Sequence, residues 1–396
     1  MNAEERLNFI TRNLQEVLNK PIIEKILADG EHPRIYWGTA PTGKPHCGYL
    51  VAMTKLADFL KADCSVIVLL ADLHAFLDSK PDEVVLQYRV KYYSMVVKAM
   101  LTALGVPTEK LEFRLGRDYQ LTGEYVMDLF RMSNITSVND AKRAGAEVVK
   151  QTDNPALSGL IYPLMQALDE EYLKVDIQFG GVDQRKIFVL AEEYLPPLGY
   201  KKRAHLMNPM VPGLGQGGKM SASDPNSKID LVEDPAVVKK KISKSFAAPG
   251  VVEGNGLIGF VQYVILPVGD IRDGKPEFFI NRDEKWGGPI TYTNIEDLKR
   301  DYAEEKLSPA DLKIGVTDSI NSLLKPMREM LLDNPEFIEI EQKAYPPPEE
   351  KTKKVKKVKK DKGSRYPGGQ APVAPEAVVA SAEQAAQEFE KLELKQ

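Results

Sequence analysis

The sequence predicts an α/β protein: a doubly wound parallel sheet with a helical insertion, followed by an α-helical domain and a low-complexity basic tail. Three observations carry this expectation. The short apolar runs at 35–37 and 66–71 and a strand at 111–115 alternate with helical patterns, as the strands and helices of a doubly wound sheet do. From about Asp234 onward the patterning becomes mostly helical. Beyond Tyr345 the composition shifts to three prolines, two glutamates and a lysine run, which belongs to a disordered linker. Boundaries near 232 and 345 follow, with the insertion at about 118–160.

The bulk composition narrows the class. At 396 residues the chain exceeds one small core, so two domains plus extensions are expected. Its 43% hydrophobic and 28% charged residues are those of a soluble globular protein. Cys47 and Cys64 are the two cysteines, too few for a disulfide scaffold or a multi-Cys zinc site, and they suit a reducing compartment. The run 66–71 is far too short to cross a membrane. No signal-peptide pattern is visible, and Glu4, Glu5 and Glu16 argue against a mitochondrial presequence, so the cytosol is expected. Residues 351–362 hold eight lysines and one aspartate, so the rest of the chain carries −11 against a net −4 overall. An acidic body of this kind is no general nucleic-acid binder; any RNA contact must come from local patches.

Each element has its own justification. Leu7, Ile10, Leu14 and Val17 recur at helical spacing, predicting one amphipathic helix over 4–19. Pro21 opens a second short helix, which Gly30 closes ahead of a strand at Arg34. Ile35, Tyr36 and Trp37 read as a buried strand, and the loop 41–49, PTGKPHCGY, follows it. Helical spacing over 50–60 comes next, with Pro45 expected in its first turn, where a missing N–H costs nothing. A strand feeding such a loop into a helix N-terminus makes an anion site, where His46 adds a donor and Gly48 admits a flat ring or ribose. The loop is not a Walker motif, since Gly43-Lys44 lacks the partner glycine and Pro45 replaces the hydroxyl residue. A helix over 84–104 ends at Gly105, and 111–115 is a strand. His74 is expected as a packed wall residue, because His46 and His205 lie too far away in sequence for metal-ligand spacing.

Residues 118–150 are helical and carry Lys142, Arg143 and Lys150. In 160–169, LIYPLMQALD, Tyr162, Gln166 and Asp169 are spaced by four and three and share one face of a helix among apolar neighbours. Such a stripe must find partners, either in an internal hydrogen-bond network or in a pocket for a small zwitterion. A strand over 175–179 then turns at Gly180-Gly181 into a helix with Asp183 and Gln184 at its mouth. Asp183 suits the two hydroxyls of a ribose, and Gln184 an ammonium or carboxylate. Far downstream, residues 217–223 read GGKMSAS after a glycine-rich approach.

The pair PTGKPHCGY and GGKMSAS, in this order and separation, resembles the two signature motifs of class I aminoacyl-tRNA synthetases. Over about residues 5–345 the chain resembles the eukaryotic cytosolic tyrosyl-tRNA synthetases, in their fungal form. The resemblance implies a Rossmann-like catalytic domain over 1–232 and a helical anticodon-binding domain over 233–345. It implies that Tyr36 and Asp169 hold the phenolic hydroxyl of tyrosine, and that Tyr162, Gln166 and Gln184 hold its α-amino group. ATP would lie against Gly38, Thr39, His46, Gly48, Asp183, Lys219 and Met220. His46, Lys219, Ser221 and Ser223 would carry the chemistry, with Mg²⁺ on the departing pyrophosphate. tRNA(Tyr) would meet Lys142, Arg143, Arg185 and Lys186 near the acceptor end, and Trp286 and Asp311 at the anticodon. A homodimer, formed partly by the insertion, is implied as well.

Two departures from the class pattern stand out: Tyr49 replaces the second histidine of the first motif, and Ala222 the second lysine of the second. A bound potassium ion is the hypothesis for the missing cation. The alternatives are a tryptophanyl enzyme of the same fold, or a catalytically inactive homologue acting as an RNA-binding factor. The tail 346–396 suits a tRNA-affinity element, a nuclear import signal or a plain solubilising extension. Residues 375–395 could form a weak amphipathic helix.

Overall fold

A computed structural model describes residues 1–79, 81–106, 111–149, 156–211, 213–215 and 228–347. Lys150, Lys219, Met220, Ser221, Ala222, Ser223 and the tail from 348 lie outside the described residues. Residues 1–347 form one compact unit.

Helix α1 (Ala3–Thr11) starts with a reciprocal capping box between Asn2 and Glu5. It stops well short of the expected 19, because Asn13 takes a left-handed conformation at φ 58°. The chain then turns into a short edge strand, β1 (Glu16–Leu18). Leu14 and Val17 still pack on the core, which is why helical spacing alone misread them. Helix α2 (Lys20–Ala28) has Pro21 in its first turn, and Gly30 at φ +75° releases the chain into β2 (Arg34–Thr39).

Helix α3 (Tyr49–Lys61) begins after a tight turn at His46–Gly48, so Pro45 precedes the helix rather than sitting in its first turn. β3 (Ser65–Leu70), α4 (Asp72–Ser79), α5 (Glu83–Ala103) and β4 (Leu111–Leu115) follow. The insertion consists of α6 (Arg117–Gln120), α7 (Gly123–Ile135) and α8 (Val138–Ala144) before α9 (Ser158–Tyr172). Next come β5 (Ile177–Gly181), α10 (Arg185–Tyr194) and β6 (Ala204–Asn208). Gly180 and Gly181 complete β5 rather than making the turn; a single 3₁₀ turn at Val182–Gln184 does that.

The remaining chain supplies α11 (Pro235–Lys244), α12 (Gly256–Phe260) and α13 (Leu266–Asp273), the last two joined through a π turn at Val261–Ile265. A hairpin of β7 (Phe278–Ile280) and β8 (Ile290–Tyr292) interrupts the helices. The stretch 281–289 is its loop, as expected; the two three-residue strands beside it are not evident from patterning. Helices α14 (Ile295–Ala303), α15 (Pro309–Leu332) and α16 (Pro335–Ala344) complete the unit.

The main sheet has strand order β1-β6-β5-β2-β3-β4, parallel throughout except for β1. From β2 the chain winds outward through β3 and β4, then returns to β2's other side with β5 and β6. The crevice between β2 and β5 is therefore the point where the winding reverses, the place where such sheets bind ligands. Alternation along β2 divides its side chains between two cores. Ile35 and Trp37 join the large core with α3 and α5, while Tyr36 packs on the opposite face with Ile67, Leu69 and Val175. A buried Lys55 donates to the carbonyls of Phe9 and Arg12 and pairs with Asp58, and Arg12 pairs with both Asp58 and Asp270. This network ties α1, α3 and α13 together behind the crevice.

Candidate active site

A cavity of about 760 Å³ opens at the carboxyl ends of β2 and β5. Tyr36, Gly38 and Thr39 reach it from the end of β2, and His46 and Gly48 from the loop beyond. Tyr162, Gln166 and Asp169 enter from one face of α9, and Asp183 and Gln184 from the turn after β5. Residues predicted from stretches more than a hundred positions apart thus meet in one space.

At its floor Asp169 is fully buried. Its Oδ1 accepts hydrogen bonds from Gln120 Nε2 at 2.8 Å and from the Tyr125 hydroxyl at 3.0 Å. Its Oδ2 has no hydrogen-bond partner among the described residues; His74 Nε2 stands 3.8 Å away. Burial raises the Asp169 carboxyl to about 7, against the pull of Gln120, Tyr125 and the nearby Tyr119 hydroxyl. The Tyr36 hydroxyl donates to the Gln166 carbonyl at 3.2 Å, and burial beside the Asp169 and Glu170 charges keeps it protonated. A buried carboxylate oxygen left without a donor costs about 1–3 kcal/mol or more, so a ligand hydroxyl or N–H placed there relieves a real deficit.

Gln166 Nε2 donates to Gln184 Oε1 at 3.1 Å, and Gln184 Nε2 to Asp183 Oδ1 at 3.3 Å, so the upper wall is a row of amide and carboxylate groups. Gly181 is needed for it: a Cβ there would lie 2.6 Å from Asp183 Oδ1. His74 is a buried wall residue, edge-on to the Tyr162 ring at 4.7 Å, and burial lowers it to about 4.

The first signature loop behaves differently from the amide cradle expected of it. The amides of Tyr49 and Leu50 bond back to the carbonyls of His46 and Cys47, and the Cys47 amide to Ile229. The Gly48 amide donates to His46 Nδ1 at 3.1 Å. Nδ1 is then an acceptor, so Nε2 carries the ring proton. Burial, with Lys228 nearby, lowers His46 to about 4. The ring is therefore a neutral N–H donor at the cavity wall.

Sequence patterning missed Gln120, Tyr125 and Gln178. Gln178 is buried beside the cavity with an Oε1 that has no hydrogen-bond partner among the described residues. A polar residue in the otherwise apolar run of β5 was its available signal. Gln120 and Tyr125 had none, since only the fold brings α6 and α7 to Asp169.

The residues expected to meet RNA lie away from the cavity floor. Arg185 pairs with Glu16 and Lys186 with Glu147, each at 2.8 Å, at the start of α10. Arg143 pairs with Asp140 along α8, and Lys142 beside it is exposed. Trp286, 67% exposed, sits in the β7–β8 loop. Asp311, bonded by the Ser308 hydroxyl at 2.9 Å, lies in the first turn of α15, the helix on which that hairpin packs. Among the described residues no group of three or more His, Cys, Asp or Glu side chains could hold a metal ion, and no helix is long and apolar enough to cross a membrane.

Residues 28–325 match the family model for tRNA synthetases class I (W and Y). The chain is 64% identical to the cytoplasmic tyrosine–tRNA ligase of Saccharomyces cerevisiae over 373 residues, covering 93% of this chain and 94% of that protein. It is 54% identical to the cytoplasmic tyrosine–tRNA ligase of Danio rerio, of which it spans 64% of the length against 88% of its own. Among solved structures, a tyrosyl-tRNA synthetase of Archaeoglobus fulgidus complexed with L-tyrosine superimposes with a TM-score of 0.76 at 39% identity, over 83% of this chain and 99% of that one. A tryptophanyl-tRNA synthetase of Aeropyrum pernix superimposes at 0.61 with 19% identity, over 83% of this chain and 85% of that one, a likeness of fold alone.

Proposed function

This chain belongs to the class I tRNA synthetases of the tryptophan and tyrosine group, and we propose from that premise that it is a tyrosine–tRNA ligase using ATP. The observation that carries the amino-acid assignment is Asp169 Oδ2, a buried carboxylate oxygen without a hydrogen-bond partner among the described residues, at the floor of the cavity. A phenolic O–H supplies its missing donor, and Tyr36 stands beside it. Phenylalanine would leave it unpaired, which is how a site of this kind rejects the smaller analogue without editing, tyrosyl-tRNA synthetases being the standard case. Tyr162, Gln166 and Gln184 suit the α-amino group at the other end.

The reaction follows from this placement. A tyrosine carboxylate oxygen attacks the α-phosphorus of ATP, the bond to the bridging oxygen breaks, and pyrophosphate leaves. Little proton transfer is required, so the protein's contribution is alignment and donors fixed where phosphate charge grows. His46 offers one through Nε2–H, held neutral and oriented by the Gly48 amide. Asp183 is assigned to the ribose hydroxyls, with Gly38, Thr39 and Gly48 along the nucleotide. Lys219, Met220, Ser221 and Ser223 are assigned by motif to the same phosphates. A ribose hydroxyl of the terminal adenosine of tRNA then attacks the tyrosyl carbonyl and AMP departs. Mg²⁺ enters with ATP as part of the substrate. The potassium proposal rests on Ala222 alone, and no step is derived through it; equal activation rates in potassium and choline salts would remove it.

For tRNA(Tyr), Trp286 and Asp311 are assigned to an unstacked anticodon base and Lys142, Arg143, Arg185 and Lys186 to the acceptor end. A homodimer is supported by the apolar surface of α7, where Met127 and Phe130 lie one turn apart and exposed, with Leu121 and Val138 just beyond its ends. The working compartment is the cytosol, as the names of its eukaryotic relatives suggest. Nuclear import through the lysine run is a separate proposal, tested by fusing residues 348–396 to a reporter.

The test is ATP–pyrophosphate exchange without tRNA, with tyrosine, phenylalanine and tryptophan in parallel. Exchange with tyrosine alone is expected. Exchange with tryptophan would transfer the assignment to the sister enzyme, and none with any of the three would favour an RNA-binding homologue.

A further inference from the structure

We infer that the last helix of the compact unit, α16, is a positioning element for the ATP-binding loop, acting through Glu341 on Lys44. The inference rests on the ligase reading, because it concerns the same loop that carries His46.

Lys44 stands two residues before His46 yet does not line the cavity. Its ammonium turns the other way, 2.7 Å from Glu341 Oε1 on α16 and 5.6 Å above the ring of Tyr345. Both partners are mostly shielded from solvent, with side-chain exposures of 32% and 21%. Glu341 is therefore a carboxylate that fixes one wall of the loop from nearly three hundred residues away in sequence.

The other restraints on this loop come from elsewhere. The Tyr93 hydroxyl donates to the Gly43 carbonyl, Lys228 Nζ to the Lys44 carbonyl at 3.2 Å, and the Cys47 amide to the Ile229 carbonyl at 2.9 Å. All of these grip the backbone from α5 or from the segment after the second signature motif. The bond to Glu341 is the one that takes up the Lys44 side chain, and it settles two things. The loop backbone is held against α16, and a cation next to the phosphate site is committed to a protein carboxylate instead of swinging into the cavity. α16 is itself well anchored: Phe337 stacks on Tyr92 of α5 at 5.0 Å, and Arg89 donates to the Ala344 carbonyl. The anchor is rigid enough for the pair to transmit position rather than merely follow the loop.

The experiment is tyrosine-dependent ATP–pyrophosphate exchange on the full chain, comparing wild type, Glu341→Gln, Lys44→Gln, the double variant, and the swap Lys44→Glu with Glu341→Lys. Wild-type exchange with tyrosine tests the underlying reading by itself; its absence sinks that reading, whereas the inference fails only on the variants. Each single variant is expected to raise the KM for ATP by about 3- to 10-fold while the KM for tyrosine stays within about twofold. The double variant should be no worse than either single one, and the swap should recover most of the loss. An unchanged ATP KM in Glu341→Gln, equal changes for both substrates, or additive single effects would each overturn the inference. Should Glu341→Gln lower the unfolding midpoint, the two KM values measured well below that midpoint still decide, because a general loss of fold has no reason to raise the KM for ATP and spare that for tyrosine.

Discussion

Asp169 concentrates the chemistry at the scale of single residues. Its Oδ1 accepts two hydrogen bonds from within the protein, while its Oδ2 has no hydrogen-bond partner among the described residues, the Tyr119 hydroxyl being a buried polar neighbour; on the proposed reading the substrate hydroxyl is the donor to Oδ2. Replacing it by asparagine should lower kcat/KM for tyrosine by about 100-fold, while phenylalanine is affected far less, because the lost bond exists only with the hydroxyl. The raised carboxyl gives a second expectation. Between its ordinary value of 3.8 and about 7 the folded protein holds this proton more tightly than the unfolded chain. Its contribution to stability is therefore fully present below about pH 4 and is lost as pH rises through 7. Denaturant titrations from pH 5 to 8 should show this slope in wild type and not in Asp169→Asn. Tyrosine binding runs the opposite way: its hydroxyl needs the ionised acceptor, so the KM for tyrosine should rise as pH falls below 7. A flat tyrosine KM from pH 8 to 6 would count against the hydroxyl contact.

Elements, next, decide which residues can act together. The hairpin carrying Trp286 is held by its strands, and Gly315 of α15 is where they press. A Cβ at that position would stand 2.8 Å from both Ile280 and Phe278, so Gly315→Val must displace the hairpin. Overpacking of this kind costs about 1–3 kcal/mol. The expected result is a lower unfolding midpoint, unimpaired pyrophosphate exchange and a raised KM for tRNA in aminoacylation. Loss of exchange in a folded variant would contradict the assignment of this region to RNA. Local signals fared unevenly at this scale. The patterning of β4 and α15 and the glycines after α2 and α5 marked their elements well. Asn13 ended α1 early because a left-handed residue carries no apolar signature, and three-residue strands such as β7 and β8 are too short to show a period.

On the scale of the whole molecule, α7 turns Tyr125 and Met132 into the core and leaves Met127, Phe130 and Ile135 exposed on its other side. Phe130 is 62% exposed, so on the proposed dimer reading Phe130→Asp should leave the fold intact and convert the protein to a monomer, as measured by sedimentation equilibrium. A dimer that survives the change would place the interface elsewhere. The sheet topology has a comparable reach. By setting β2 beside β5, it brings Tyr36 next to Gln178, and with it the loop of His46 next to the turn of Asp183.

The order of apolar runs, the two signature stretches and the polar stripe of α9 were enough, as sequence, to define the fold class and the family. Those features are local: they depend on side-chain period and on the identity of neighbours a few positions away. The tertiary structure alone decided that Asp169 keeps one oxygen without a partner, that Gln120 and Tyr125 satisfy the other, that His46 donates through Nε2, and that Lys44 points to Glu341. Hydrogen-bond satisfaction, tautomer and protonation depend on burial and on partners brought from distant segments, and no stretch of chain contains that information until it is folded.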